Sequence, residues 1–223
     1  MPSSIARQSI EQLGGEASIL ARQRRDHEEL DRLMRRYDAD PHPPEERQQI
    51  LKDIIQFTFA HAFAEETVLW PALRRLHPDG DALTSRVEQE HQEINVLVAA
   101  IERTDPAYPR HRELTSRAFD VIRQDIRDEE DLLLPRLQEA LGNDRARLRS
   151  LGTAWETVRR TAPTHPHPSV PRRPPGNALA GLPLSLYDRA RDTTSARRGA
   201  KVAIVLTAVL AAWLLRAAIR HRS

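Results

Sequence analysis

The sequence predicts an all-α protein: an up-down-up-down four-helix bundle followed by a short extra helix, a Pro-rich linker and a C-terminal hydrophobic helix. Three observations carry the prediction. Aromatic residues make up only 4% of the chain and glycine is sparse before residue 142, while Arg, Glu, Leu and Ala dominate, a composition that favours helices over strands. Four long segments place apolar residues at intervals of three and four, the period of a helix buried along one stripe. Two halves of the chain also resemble each other with an offset of 64 residues: His27 matches His91, His61 matches Asp125, and Glu65, Glu66 and Pro71 match Glu129, Glu130 and Pro135. Such self-similarity is the signature of a repeated supersecondary unit, here two helical hairpins facing each other.

The first helix is expected from about Glu16 to Tyr37, after the Gly14-Gly15 breaker, with Leu20, His27, Leu30 and Met34 on one stripe. The second starts near Pro44 and Glu45, where proline suits the first helical position, and aligns Ile50, Ile54, Phe57, His61, Glu65, Val68 and Ala72. A loop at His77 to Gly80 leads to the third, with Leu83, Val87, His91, Ile94, Val98 and Ile101 in line, which ends before Asp105-Pro106. The fourth follows Pro109 and aligns Leu114, Ala118, Val121, Asp125, Glu129 and Leu132. These four helices form a bundle domain over residues 16–141, and an accessory helix within 142–160, about Asp144 to Arg160, packs on its outside.

Seven prolines in residues 161–186 rule out a core helix there, so 161–199 reads as a stiff Pro/Arg-rich linker. Beyond it, residues 200–219 contain an uncharged, mostly apolar run from Val202 to Leu215. It reaches the roughly 20 residues of a bilayer span if Lys201 and Arg216 extend their charges to the headgroups. Its apolar residues cover every face, which favours a transmembrane helix over one lying on the surface. Seven basic residues from Arg172 to Lys201 precede it, and the first twenty residues lack the apolar core of a secretory signal. The expected topology is a single-pass, tail-anchored membrane protein with its N-terminal domain in the cytoplasm.

The formal net charge of +2 conceals an asymmetry: residues 1–159 are net −7 and residues 160–223 net +9. A basic segment beside an apolar run suits anionic lipid, and no nucleic-acid motif or interleaved aromatics accompany the arginines, so nucleic acid is not an expected partner. The absence of cysteine excludes disulfides and thiolate metal sites and restricts any metal to nitrogen and oxygen ligands.

His61 and Glu65, and likewise Asp125 and Glu129, stand four residues apart and share a helix face. His27 and His91 fall on the inward stripes of the other two helices. A lone histidine on an apolar stripe is ordinarily a satisfied core residue. Three of them, in register with two acid partners, form a polar layer whose burial is costly unless the groups pair or coordinate a common ion. Sulfur-free donors in a helical bundle suit iron or manganese. Glu66 and Glu130, five residues after the ligand positions, are expected to point off the seam, toward solvent or behind the ligands. Asp31 and Asn95 stand four residues after a repeat histidine, where they could hydrogen-bond a ligand imidazole or lie at the surface. The remaining histidines, at 42, 77, 111, 165, 167 and 221, receive no role.

These residues, with their Glu-Glu-x-x-Leu-x-Pro context, resemble the hemerythrin-like (HHE cation-binding) domain over roughly residues 16–141. That family pairs a four-helix bundle with a histidine on helix one, His-x-x-x-Glu on helix two, a histidine on helix three and His-x-x-x-Glu on helix four, holding a non-haem di-iron centre. The resemblance implies His27, His61, Glu65, His91 and Glu129 as iron ligands. The helix-four histidine is replaced by Asp125, a possible sixth ligand that would make the site richer in carboxylate. Two irons are implied first, with a single iron or manganese as alternatives.

The function implied is an iron-binding module that binds or senses oxygen, nitric oxide or peroxide, or holds iron, tethered to a membrane. The alternative is a di-iron oxidase or peroxide-decomposing enzyme, toward which Asp125 tilts the ligand set. A third reading is a metal-free helical scaffold in which the histidines and acids pair as buried ions. No protein partner can be named from the sequence.

Overall fold

A computed structural model describes residues 3–39, 42–142, 144–162 and 165, and among them there are helices and no strands. Helix α1 (Ile19–Asp38) begins where Ser18 accepts a hydrogen bond from the Leu20 amide, just past Gly14 and Gly15, both at positive φ. Helix α2 (Pro44–Ala64) opens with proline and has Glu45 and Glu46 in its first turn, where acids favour the helix dipole. It runs through a π-helical turn at Glu65–Leu69 into α3 (Trp70–Leu76). Helix α4 (Gly80–Ile101) returns. Helix α5 (Pro109–Asp128) then runs through a second π-helical turn, Glu129–Leu133, into α6 (Leu134–Leu141). Helix α7 (Arg145–Arg159) follows, with the Asp144 carboxylate accepting from the Ala146 and Arg147 amides.

The chain-ordered neighbours pack together: α1 on α2, α3 on α4, α4 on α5, with α1 against α5 closing the ring. This is the up-down-up-down bundle expected from the four stripes. Two apolar clusters fill it. One is built around Leu20, Leu69, Trp70, Val87, Leu133 and Leu137, the other around Met34, Ile54, Ile94, Val98, Ala118 and Ile122. His27, His61, His91 and the acids beside them occupy the level between the two, a polar layer held in place by apolar packing on either side. Each fully buried Leu or Ile contributes about 1.5–3 kcal/mol, which offsets the cost of burying the polar layer.

The π turns correct two parts of the expected stripes. The periodicity puts Val68 and Leu132 inward, yet Leu69 and Leu133 take the buried positions, and Leu132 is 41% exposed. The wide turn adds a residue to the helix and rotates everything after it by one position. Proline supplies the cause in both repeats. Pro71 and Pro135 cannot donate to the fourth residue back, and their rings crowd the carbonyls of Thr67 and Asp131, a conflict that widening relieves. The amides of Trp70 and Leu134 accordingly donate to the carbonyls of Glu65 and Glu129, five residues back. Thr67 Oγ1 adds a bond to the Phe63 carbonyl at 2.7 Å.

Helix α7 does more than cover the outside. It packs on α1, α2 and the first π turn, and its Trp155 is buried in the same core cluster as Trp70. Gly152 permits this seat, because a Cβ there would lie 2.8 Å from the Ala17 carbonyl oxygen. The N-terminal segment likewise contributes Ile5 and Leu13 to that cluster. Among the described residues no helix is long and apolar enough to cross a membrane. The expected span at 200–219 and the linker leading to it, apart from residues 161, 162 and 165, lie outside the described residues.

Candidate metal centre

All six residues expected to ligate a metal meet at the centre of the bundle. Their donor atoms form two groups, each within 4.8 Å internally: His27, His61, Glu65 and Glu129 in one, His91, Asp125 and Glu129 in the other. Regular α-helical geometry brings His61 and Glu65 together, with Nε2 and Oε1 2.9 Å apart. His27 Nε2 lies 3.2 Å from His61 Nε2 and 3.1 Å from Glu129 Oε2. In the other group His91 Nε2 stands 3.4 Å from Asp125 Oδ2, 3.8 Å from Glu65 Oε2 and 3.8 Å from Glu129 Oε1. Glu65 and Glu129 therefore each turn one oxygen to each group, the disposition of carboxylates that bridge two metal ions.

The donor set fits a metal pair. Glu65 and Glu129 are fully buried, and none of their four carboxylate oxygens has an aligned hydrogen bond; Asp125 Oδ1 has none either. Buried carboxylates left without hydrogen bonds are strongly unfavourable unless a cation takes up their lone pairs. The metal-free electrostatics say the same. Burial opposes charge on His27, but contact with Glu129 and Glu130 outweighs it and holds the pKa well above the usual imidazole value. His91 is held up likewise, by Asp125, Glu129 and Glu66 against burial. Burial also opposes charge on His61, yet Glu65 and Asp26 raise it to about 9. Burial and the Glu129 charge push Glu65 up, whereas Glu129, although buried, is drawn down by His27 and His91. Each imidazole is thus drawn toward its charged form by the carboxylates around it, the same negative field that would hold a cation.

The groups behind the imidazoles differ from expectation. Glu66 Oε1 accepts from His91 Nδ1 at 2.8 Å and Glu130 Oε1 from His27 Nδ1 at 2.9 Å. A residue five positions after another is turned by about 140° on a regular α-helix, which would send both carboxylates away from the seam. Both lie instead within the π turns, where the helix departs from that geometry. The exchange is reciprocal: an acid of the first repeat holds the histidine of the second, and the reverse. Asp26 Oδ2 faces His61 Nδ1 at 3.4 Å and is itself 3.7 Å from Arg159 of α7. Asp31 and Asn95 do not take this role. Asp31 pairs with Arg35 and Arg123 at the surface, and Asn95, though buried, makes no bond to an imidazole. The proline eleven residues into each motif was the available signal for the π turns, and so for Glu66 and Glu130.

Two features go beyond the sequence reading, which aligns Phe57 with His61 and gives Trp155 and Glu90 no role. Trp155 sets its ring edge-on to His61 with centroids 5.5 Å apart, and Phe57 stacks on the same imidazole at 6.4 Å. Beside the other group, burial, contact with Asp128 and the charge of Asp125 push the Glu90 carboxyl up to about 8, and Arg86 Nη2 reaches Asp128 Oδ2 at 2.6 Å.

A family model described as the hemerythrin HHE cation-binding domain matches residues 18–137. An uncharacterized hemerythrin-like protein of Schizosaccharomyces pombe is 24% identical over 133 residues, covering 59% of this chain and 64% of the relative. A DNA nickase of Nostoc sp. (strain PCC 7120) is 28% identical over 101 residues, covering 45% of this chain and 28% of the relative. The chain thus spans less than two thirds of the curated relatives it matches. No solved structure matches it significantly.

Proposed function

We infer the function from one premise: the chain belongs to the hemerythrin HHE cation-binding domain family. It is a metal-binding protein, and we propose that the metal is a pair of irons held by His27, His61, Glu65, His91, Asp125 and Glu129. The observation that carries this reading is the placement of Glu65 and Glu129, each buried and each presenting one oxygen to either histidine group. When bound, an iron pair supplies open coordination positions and redox equivalents for a small ligand such as oxygen, nitric oxide or peroxide. The chain's own residues set the conditions. The apolar clusters exclude bulk water, Glu66 and Glu130 fix the ring orientation of His91 and His27, and Asp26 holds the Nδ1 proton of His61.

A binding or sensing module follows from this, or a store of iron, and its proposed location is a membrane reached through residues 200–219. A second reading, an oxidase or peroxide-decomposing enzyme, is favoured by one observation: Asp125 leaves the His91 group with a single imidazole, closer to the carboxylate-rich centres of di-iron enzymes. Metal analysis and optical spectroscopy on the full chain, prepared with iron and without chelators, test both. Two irons per chain with a near-ultraviolet charge-transfer band altered by nitric oxide support the binding module. Hydrogen peroxide turnover above that of free iron supports the enzyme. A chain that takes up no metal refutes both.

A further inference from the structure

We propose that the two halves of the centre are unequal: the His27–His61 half holds its metal as a resident, whereas the His91–Asp125 half is an exchangeable site. The exchangeable half takes a divalent, oxygen-seeking cation past Glu90 and Asp128 and discriminates least between iron and manganese. This rests on the metal-binding reading above and adds to it which half loads last, with what, and by which route.

The donor sets differ in kind. With Glu65 and Glu129 shared, the first half offers two imidazole nitrogens and two carboxylate oxygens, and the second offers one nitrogen and three oxygens. Imidazole favours iron over manganese, whereas carboxylate oxygens suit manganese nearly as well, so each nitrogen exchanged for oxygen narrows the preference. The donor distances also differ. Contacts within the first half are 2.9–3.2 Å, a set already drawn together. Those of His91 Nε2 with its three oxygen partners are 3.4–3.8 Å, a more open set of donors.

The surroundings differ in the same sense. His61 is enclosed by Trp155 and Phe57, and its backing Asp26 is tied to Arg159. The cleft over His27 is lined by Arg24, Arg123 and Arg127 together with Glu28, Asp31 and Glu130, as many bases as acids, and offers a cation no net attraction. On the second half, Asp125 keeps Oδ1 free of hydrogen bonds although it is only 7% exposed. One helical turn along α5 lies Asp128, and on α4 Glu90 stands next to His91. The guanidinium of Arg86 pairs with Asp128 at 2.6 Å and with Glu90 at 3.9 Å, and its side chain is 56% exposed, so an arriving cation can displace it toward solvent. Acid oxygens thus lead from the surface to the least nitrogen-rich position of the centre.

The test is a titration of the metal-free full chain with Mn(II), followed by electron paramagnetic resonance and calorimetry, then competition with Fe(II). Two equivalents should bind, the second at least about 10-fold more weakly, and Fe(II) should displace manganese preferentially from the first. Asp125→Asn, which preserves shape, should lose the second equivalent and keep the first. Asp125→His should bring the two affinities within about threefold. Glu90→Gln with Asp128→Asn should slow uptake of the second equivalent about 10-fold at unchanged stoichiometry, because the oxygen ligands that would hand the cation inward are lost. Two equivalents of equal affinity, or loss of the first with Asp125→Asn, overturn the proposal and leave the metal-binding reading standing. No uptake of either ion overturns both.

Discussion

Replacing Glu66 and Glu130 tests whether the π turns serve the centre. Each carboxylate accepts the Nδ1 proton of an imidazole whose Nε2 faces the metal position, at 2.8 Å for Glu66 and 2.9 Å for Glu130. In Glu66→Gln the acceptor keeps its shape and loses its charge. A charge-assisted hydrogen bond contributes about 1.5–3 kcal/mol and a neutral one about 0.5–1.5, so the loss is about 1–1.5 kcal/mol, or roughly 5–10-fold in metal affinity. Glu66→Leu removes the bond altogether and should approach the roughly 100-fold upper range for groups that orient metal ligands. Glu130, with a side chain 14% exposed against 2% for Glu66, should show the same order with smaller steps, because water can replace part of its role. The assay is competition for iron against a chelator of known affinity, with melting of the loaded and metal-free chain alongside. A loss of 1–1.5 kcal/mol in binding corresponds to about 2–6 °C less metal-induced stabilisation in a domain of this size. If all four variants stay within about twofold of the parent, orientation of His91 and His27 by these carboxylates is refuted, and the π turns are a packing accommodation of proline.

Further outcomes follow from the same geometry. Trp155→Ala should destabilise the fold by about 3–5 kcal/mol in urea unfolding, as expected for a fully buried indole, and Trp155→Phe by much less. Gly152→Val should force α7 off the Ala17 carbonyl and produce a loss of about 1–3 kcal/mol, read in the same unfolding experiment. His61 and Glu65 both have folded-state pKa values above their ordinary ones, so each contributes metal-free stability that is lost as pH rises. The metal-free chain should therefore lose stability from about pH 4.5, through Glu65, to about pH 9, through His61, while iron affinity increases, and loading at pH 7 should release protons measurable in weak buffer. Removing residues 200–223 should move the protein from the membrane fraction to the soluble fraction, and unchanged fractionation would count against the tether.

Much of this protein was legible in its sequence because helices repeat every 3.6 residues and the chain repeats after 64. Apolar spacing placed α1, α2, α4 and α5, and the His-x-x-x-Glu offset put His61 and Glu65 on one face before any packing was known. The i,i+4 rule is local, so such pairs survive into the tertiary structure unchanged. What the sequence left open depends on distances between helices and on one departure from regular geometry. That Glu65 and Glu129 each divide their oxygens between two histidine groups is fixed by how closely four helices approach, which no single stripe encodes. Glu66 and Glu130 reach His91 and His27 across to the neighbouring helices from within the π turns before Pro71 and Pro135, a contact that depends on how the helices pack and not on the stripe of either one. Trp155 comes from a segment outside the repeat, and its place against His61 is decided by Gly152 letting α7 settle on the N-terminus of α1. Local periodicity thus determined which residues face inward, and the tertiary structure decided which of them meet.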